Sequence, residues 1–176
     1  MRVLLAGGAG YIGTHTAVAL LAAGHDVVLL DDLSGTHEVA ASRVAQITGK
    51  PAPLVIGDAA DDAVVETAFA EHGPIDAIVH LAAFKAVGES TQKPLEYYSN
   101  NLDTTFALLR VGLAHGIRSF VFSSTGTVYS DPADLPFTEE STTSVDLSNA
   151  YSKSKRMNEV VLADVARVNP DLNVTV

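Results

Sequence analysis

The chain contains no cysteine, which excludes a disulfide framework and any thiolate metal site. No other metal-ligand set is read from the sequence. Cations are scarce: 11 lysines and arginines stand against 21 aspartates and glutamates, for a net charge of −10. Nucleic-acid phosphates call for a basic face, so this balance counts against a nucleic-acid partner. It leaves room for a small phosphate ligand held by backbone N–H groups at a helix N-terminus. No apolar run approaches the roughly 20 residues that cross a bilayer, and no membrane partner is expected. The start, MRVLLAGGAGYIG, carries one positive charge and a short apolar run that soon breaks into glycines. That suits a buried strand better than a signal peptide, and a cytoplasmic location is the expectation. Repeats, low-complexity segments and long linkers are missing too.

What is there is 176 residues, 47% hydrophobic and 18% charged, the size and composition of one globular domain. Short apolar runs fall at 3–6, 27–30, 53–56, 77–80 and 120–123. Amphipathic stretches lie between them near 12–23, 36–48, 61–72, 94–115 and 151–168. Continuously apolar strands separated by helices predict a parallel sheet covered on both faces. The fold expected is α/β, a Rossmann-like doubly wound sheet with ligands at the carboxyl ends of its strands. The final LNVTV reads as a sixth strand. Either it closes the sheet, or the sequence is the front part of a longer protein, and the second reading is preferred.

Gly7, Gly10 and Gly13 in GGAGYIG follow the first strand and open a helix. Glycine suits a turn that needs positive φ and lets a pyrophosphate approach the backbone; the helix dipole then favours the anion. An ordinary tight strand-to-helix turn would use the same residues. The second strand ends in Asp31, 18 residues past Gly13, where a carboxylate accepts from ribose hydroxyls and repels a 2′-phosphate. No lysine or arginine lies between Asp31 and Glu38. The alternative is that Asp31 and Asp32 cap the next segment. Strand, glycines, helix, strand and acid together indicate NAD. Asp58, closing the third strand, is read equally as an adenine contact or as the N-cap of a helix near Asp62.

NAYSKSK (149–155) places Tyr151 and Lys155 four apart, on one face of a helix. An ammonium beside a phenol stabilises phenolate and favours a general base, and Lys155 could also donate to a nicotinamide ribose. A surface pair is the bland alternative. FSSTGTVYS (122–130) sits where the fifth strand ends. Its Thr125 or Ser124 could hydrogen-bond the substrate oxygen that Tyr151 deprotonates, or its hydroxyls could simply satisfy a turn.

From GGAGYIG through LAAFKAVGES to YSKSK, the whole chain resembles the extended short-chain dehydrogenase/reductase family. The stretch HLAAFKAVGESTQKPLEYYSNN (80–101) is similar to the corresponding segment of that family's epimerases of UDP-hexoses. The resemblance implies an NAD-dependent isomerase that interconverts UDP-glucose and UDP-galactose. A hydride leaves C4 of the hexose for NAD+, Tyr151 removes the 4-hydroxyl proton, and the 4-keto sugar turns over before the hydride returns.

Carried over by motif, Tyr11 and Ile12 lie in the pyrophosphate turn. Asp31, Asp32, Leu33, Ser34, Gly35 and Thr36 flank the adenosine, with Asp58 and Ala59 at adenine. Leu81, Ala82, Ala83, Phe84 and Lys85 line the cofactor, with Asn100 as another contact. Lys85, Ser124, Thr125 and Tyr151 face the substrate. Thr125 stands where these enzymes carry a catalytic serine, and Tyr151 and Lys155 match their base and its helper. Read without the resemblance, Lys85 is a solvated loop lysine and Asn100 a helix-start cap.

Ala6 replaces the usual threonine before the first glycine, and Ala150 and Ser152 replace the proline and glycine that usually flank the tyrosine. None of these departures removes a reacting group. Dehydratases of the family carry Asp-Glu just after the catalytic threonine, where this chain has Gly126 and Thr127, so dehydration is disfavoured. Another nucleotide-sugar epimerase or a reductase of the family is an alternative, although a reductase would often prefer NADP, which Asp31 opposes. The competing class is a module that holds NAD without sugar turnover, because the family binds its nucleotide-sugar mainly through a C-terminal portion absent from these residues. Family members commonly pair through two long helices, matching 94–115 and 151–168, which makes a homodimer the expectation. The first of these carries Leu102, Phe106 and Leu109 at helical spacing.

Overall fold

The computed structural model describes residues 1–129, 135–144 and 146–176. Six strands are numbered in chain order: β1 (Arg2–Ala6), β2 (Asp26–Asp31), β3 (Leu54–Ile56), β4 (Ala77–His80), β5 (Ser119–Phe122) and β6 (Asn173–Thr175). The helices are α1 (Tyr11–Ala22), α2 (Val39–Thr48), α3 (Asp62–His72), the short α4 (Val87–Ser90), α5 (Pro94–Ala114) and α6 (Ala150–Val168). A 3-10 turn spans Gly126–Val128. The strands form one sheet in the order β3-β2-β1-β4-β5-β6, and every pair is parallel. This is the doubly wound Rossmann-like sheet expected, and the order reverses between β1 and β4.

Side chains alternate across each strand, so neighbouring residues serve opposite layers. Leu4, Val28 and Leu30 face a core built with α3, α5 and α6 residues such as Val65, Leu108 and Leu162. Val3, Leu5, Val27 and Leu29 face Ala17 and Leu21 of α1 and Val44 of α2. Leu4, Leu5, Leu29 and Leu30 are all fully buried, each worth about 2 kcal/mol of apolar transfer. Burial on both faces explains why these strands read as unbroken apolar runs.

Register sets the working edge. Ala6 pairs with Leu30 and with His80, and His80 pairs with Phe122. The carboxyl ends of β1, β2, β4 and β5 therefore line up, and the glycine turn, Asp31, the LAAFK segment and the SST segment all leave the sheet on one side.

The second helix starts at Val39 rather than near 36, because the Asp31 and Asp32 side chains fold the intervening residues into turns. Leu33 there has φ 60, a left-handed conformation that costs a non-glycine residue roughly 1–2 kcal/mol. LNVTV does join the sheet, pairing Val174 with Phe120. Among the described residues, no helix is long and apolar enough to cross a membrane, and no His/Cys/Asp/Glu group is arranged to hold a metal ion.

Candidate functional site

At that edge lies a cavity of about 240 Å³. Of the residues expected around a cofactor, Gly7, Gly10, Asp31, Asp32, Ser34, Gly35, Thr36, Asp58, Ala59, Leu81, Ala82, Ala83, Phe84, Lys85 and Asn100 line it. Leu30, Gly57 and Thr104 join them without having been expected. Tyr11, Ile12, Gly13 and Leu33 stand outside the lining, as do Ser124, Thr125, Tyr151 and Lys155.

The glycine turn is shaped by close approach. Gly7 sits at φ +79, and a Cβ there would come within 2.7 Å of the Ala82 nitrogen. Gly13 is buried inside the turn, where a Cβ would collide with the carbonyls of Gly7 and Gly8. At Gly10 a Cβ would meet only the Gly7 carbonyl, at 3.2 Å, so the missing side chain is open space. The first intrahelical-type bond of α1 runs from Thr14 N–H to the Gly10 carbonyl at 2.9 Å. The N–H groups of Tyr11, Ile12 and Gly13 precede that ladder and are available to an anion. Tyr11 and Ile12 thus contribute backbone, while the Tyr11 side chain stands 81% exposed and stacks at a tilt on His15.

Asp31 is buried. Its carboxylate accepts from Ala9 N–H at 3.0 Å, Leu33 N–H at 3.0 Å and the Thr36 hydroxyl at 2.8 Å. A carboxylate has about four acceptor sites, so roughly one remains for a ribose hydroxyl. Asp31 both ties the glycine turn to β2 and keeps an acceptor at the cavity; it caps no helix. Asp32 accepts from Ser34 through both its N–H and its hydroxyl, again without capping α2. Asp58 accepts from Ala60 N–H, and Asp61 is the cap of α3. Asn100 lies inside α5 rather than at its start, and its side-chain oxygen accepts from Phe84 N–H at 3.3 Å. These features fit a dinucleotide: an open backbone turn for the pyrophosphate, acceptors at the ends of β2 and β3, and no cation lining the adenosine end of the cavity.

Two elements hold the residues expected to be catalytic. Asn149 caps α6 by accepting Ser152 N–H at 2.8 Å, which starts the helix so that Tyr151 and Lys155 share a face. Lys155 is 3% exposed; its Nζ donates to the Ser123 carbonyl at 2.7 Å and lies 4.5 Å from the Phe122 ring centre. Burial pulls its pKa down to about 8. Beneath it, His80 is kept neutral by burial, which holds its pKa well below the ordinary histidine value. Thr125 accepts from Thr127 N–H and shares a hydrogen bond with the Thr127 hydroxyl at 3.0 Å; that hydroxyl in turn meets Ser152 at 2.7 Å. The Ser124 hydroxyl donates to Glu159. Tyr151 is half-buried, and its carbonyl accepts from the Ser154 hydroxyl. Ser130, the last hydroxyl of the expected cluster, lies outside the described residues.

Sequence reasoning passed over Asn101. It is fully buried, pairs with both the N–H (2.8 Å) and the carbonyl (3.1 Å) of Phe84, and donates to Ser154 at 2.9 Å. It therefore straps the cavity loop to α6. The available signal was an asparagine on the apolar face of a long helix, where its side chain is a poor helix former without a partner. Asn158, which donates to the Asn101 carbonyl, and Glu159 escaped notice for the same reason.

Residues 3–176 match the model of the NAD dependent epimerase/dehydratase family. The chain belongs to that family. Among its relatives, UDP-glucose 4-epimerase of Pasteurella multocida is 45% identical over 176 residues, covering 100% of this chain and 52% of the relative. The enzyme of the same name from Caenorhabditis elegans is 44% identical, covering 99% of this chain and 52% of its own length. Among solved structures, UDP-glucose 4-epimerase from Bifidobacterium longum in complex with NAD+ and UDP superposes with a TM-score of 0.94 at 45% identity. That match covers 99% of this chain and 51% of the other. This member of the epimerase/dehydratase family therefore spans about half the length of the curated relatives it matches.

Proposed function

We propose that residues 1–176 form the NAD-binding, catalytic half of an enzyme that interconverts UDP-glucose and UDP-galactose at C4. The observation that supports this reading is that α6, which bears Tyr151 and Lys155, is tied through Lys155 and Ser152 to the loop that bears Thr125, at the same sheet edge as a cavity suited to a dinucleotide. The names of the relatives support the choice of substrate class.

Bound NAD+ supplies reversible hydride acceptance at C4 of the hexose. Tyr151 takes the proton of the 4-hydroxyl and gives it back after the sugar has turned. Lys155 stabilises the phenolate electrostatically across one helical turn, and burial strengthens that interaction by removing water. Thr125 hydrogen-bonds the same sugar oxygen, while Asp31 and the α1 N-terminus hold the adenosine and pyrophosphate. The 4-keto sugar must be held loosely enough to rotate, so binding energy has to come from the remote UDP group. Gly126 and Thr127 supply no acid to protonate a departing hydroxyl, which favours epimerisation over dehydration.

Self-association through α5 and α6 belongs to the same proposal. Leu109 is spent in the core, Leu102 and Phe106 are half-buried, and Leu95, Met157, Val160 and Val168 are exposed along those helices.

The test is conversion of UDP-galactose to UDP-glucose by the purified chain with added NAD+, against a Tyr151→Phe control. Turnover above the control supports the epimerase. NAD+ binding without turnover supports the second reading, a cofactor module that needs further residues for its sugar. Full activity in the control would remove Tyr151 as the base.

A further inference from the structure

Three residues of α6, at spacings of three and four, reach across to the loop that follows β5. Ser152 meets the Thr127 hydroxyl at 2.7 Å, Lys155 donates to the Ser123 carbonyl at 2.7 Å, and Glu159 accepts from the Ser124 hydroxyl. Residues 123–127 are thereby stitched to the helix, with Thr125 between the stitches. The last stitch is the unusual one. The Glu159 side chain is only 13% exposed, and a carboxylate removed from water is costly unless it is paired. Its second oxygen accepts from Arg156 Nη1 at 2.8 Å, so both oxygens are occupied. The Arg156 guanidinium is itself drawn inward, leaving its Nε buried and without a partner. An apolar residue would fill this place more cheaply, as Leu162 does three positions on. A charge kept there needs a task that packing cannot perform, and directional hold on one hydroxyl is such a task.

We infer that Glu159 is a positioning residue of the catalytic end: oriented by Arg156, it grips Ser124 and so fixes the 123–125 turn against the helix that carries Tyr151 and Lys155. Ser123 and Ser124 are adjacent in the chain and are held one helical turn apart, by Lys155 and Glu159. Releasing Ser124 frees the turn to pivot about Ser123, which alters the distance from the Thr125 hydroxyl to Tyr151 and admits water to the Lys155 ammonium. The catalytic meaning of this grip rests on the roles proposed above for Tyr151 and Thr125, but the grip is testable without cofactor or sugar.

Lys155 reports on the turn, because burial is what depresses its pKa. His80 from β4 interacts with it electrostatically, and Tyr151, Lys153, Arg156 and Glu159 are its charged or titratable neighbours along its own helix. The experiment follows the Lys155 side-chain carbon resonance with pH in the ligand-free chain and in the Ser124→Ala, Glu159→Ala and Glu159→Gln variants. Loss of a neighbouring anion alone would lower the lysine pKa, whereas admission of water raises it, so the direction separates charge from geometry. The expected result is a rise of about one unit in Ser124→Ala and in Glu159→Ala, a tenfold change in the protonation equilibrium. The double variant should show no further rise, because the two residues act as a pair. Glu159→Gln keeps an acceptor for Ser124 while removing the charge, so the lysine pKa should not rise in that variant. Folded Ser124→Ala and Glu159→Ala chains that titrate like the parent would overturn the inference, as would additive shifts in the double variant. Ser124→Ala removes only a hydroxyl and decides the matter even where Glu159→Ala does not fold. Absence of sugar turnover would leave this result standing, and an unchanged titration would leave the epimerase reading standing.

Discussion

The glycine turn after β1 is shaped by backbone, whereas the start of α6 is joined to another element by side chains that reach across to it. The first works through what is missing: Gly7 and Gly13 have no Cβ, so the turn closes tightly, and the first α1 N–H groups precede the helical ladder. The second works through what is added: Lys155, Ser152 and Glu159 each need a partner on residues 123–127. A backbone site fails when anything is inserted. A side-chain site fails when any one partner is removed, and it carries ionisable groups whose state depends on pH.

The largest effect should come from insertion. In Gly13→Val the new Cβ would lie 2.7 Å from the Gly8 carbonyl oxygen, and the strand-to-helix turn cannot yield without parting. A loss of about 3 kcal/mol is expected, read as a lower urea midpoint. An unchanged midpoint would mean that the turn is not close-packed.

Next comes the pH dependence of the side-chain site. The folded pKa of Lys155 is about 8, below its ordinary value of 10.5. The unfolded chain therefore binds more protons between those limits, and stability rises with pH across them, by at most about 3 kcal/mol. The stabilisation is complete above the unfolded value and lost as pH falls towards 8. Lys155→Met should flatten that window. His80 acts on the acid side: its pKa is depressed by burial, so its contribution is full above 6.5 and is lost as pH falls below that. A pH profile indifferent to Lys155→Met would show that the ammonium is not buried.

How much of this was legible in the sequence follows the same division. Backbone-made features leave compact traces: the Gly7, Gly10 and Gly13 spacing, the unbroken apolar strands and Asp31 at a strand end were all readable, and the parallel doubly wound sheet followed from the alternation of strands and helices. Tyr151 and Lys155 were readable because they are neighbours on one helix. Asn101, Asn158 and Glu159 were not, because their partners are Phe84, Ser124 and one another, distant in sequence and brought together only where α5, α6 and the loops after β4 and β5 pack. The dual duty of Asp31 was also hidden, since Ala9 and Thr36 meet it only in the fold.

A smaller effect is expected from Asp31→Asn. An amide oxygen has two acceptor sites where the carboxylate now serves three donors, so at least one donor loses its partner, at a cost of about 1–3 kcal/mol. NAD+ affinity should fall and the discrimination against a 2′-phosphate should shrink, both readable by calorimetry. The smallest effect belongs to the exposed Arg110–Asp62 pair on α5 and α3. Arg110→Ala should leave the thermal midpoint and cofactor affinity where they are, as expected for a solvent-screened ion pair; a clear loss would place a working contact outside both regions compared above.

The central claim is that these 176 residues contain a complete NAD site built on backbone and on Asp31. Its most direct test is a calorimetric titration of the purified chain with NAD+ and, separately, with NADP+. One saturable site per chain for NAD+, with NADP+ bound at least about tenfold more weakly because its 2′-phosphate meets the Asp31 carboxylate, is the result predicted. No binding of NAD+, or equal affinity for the two, would contradict it.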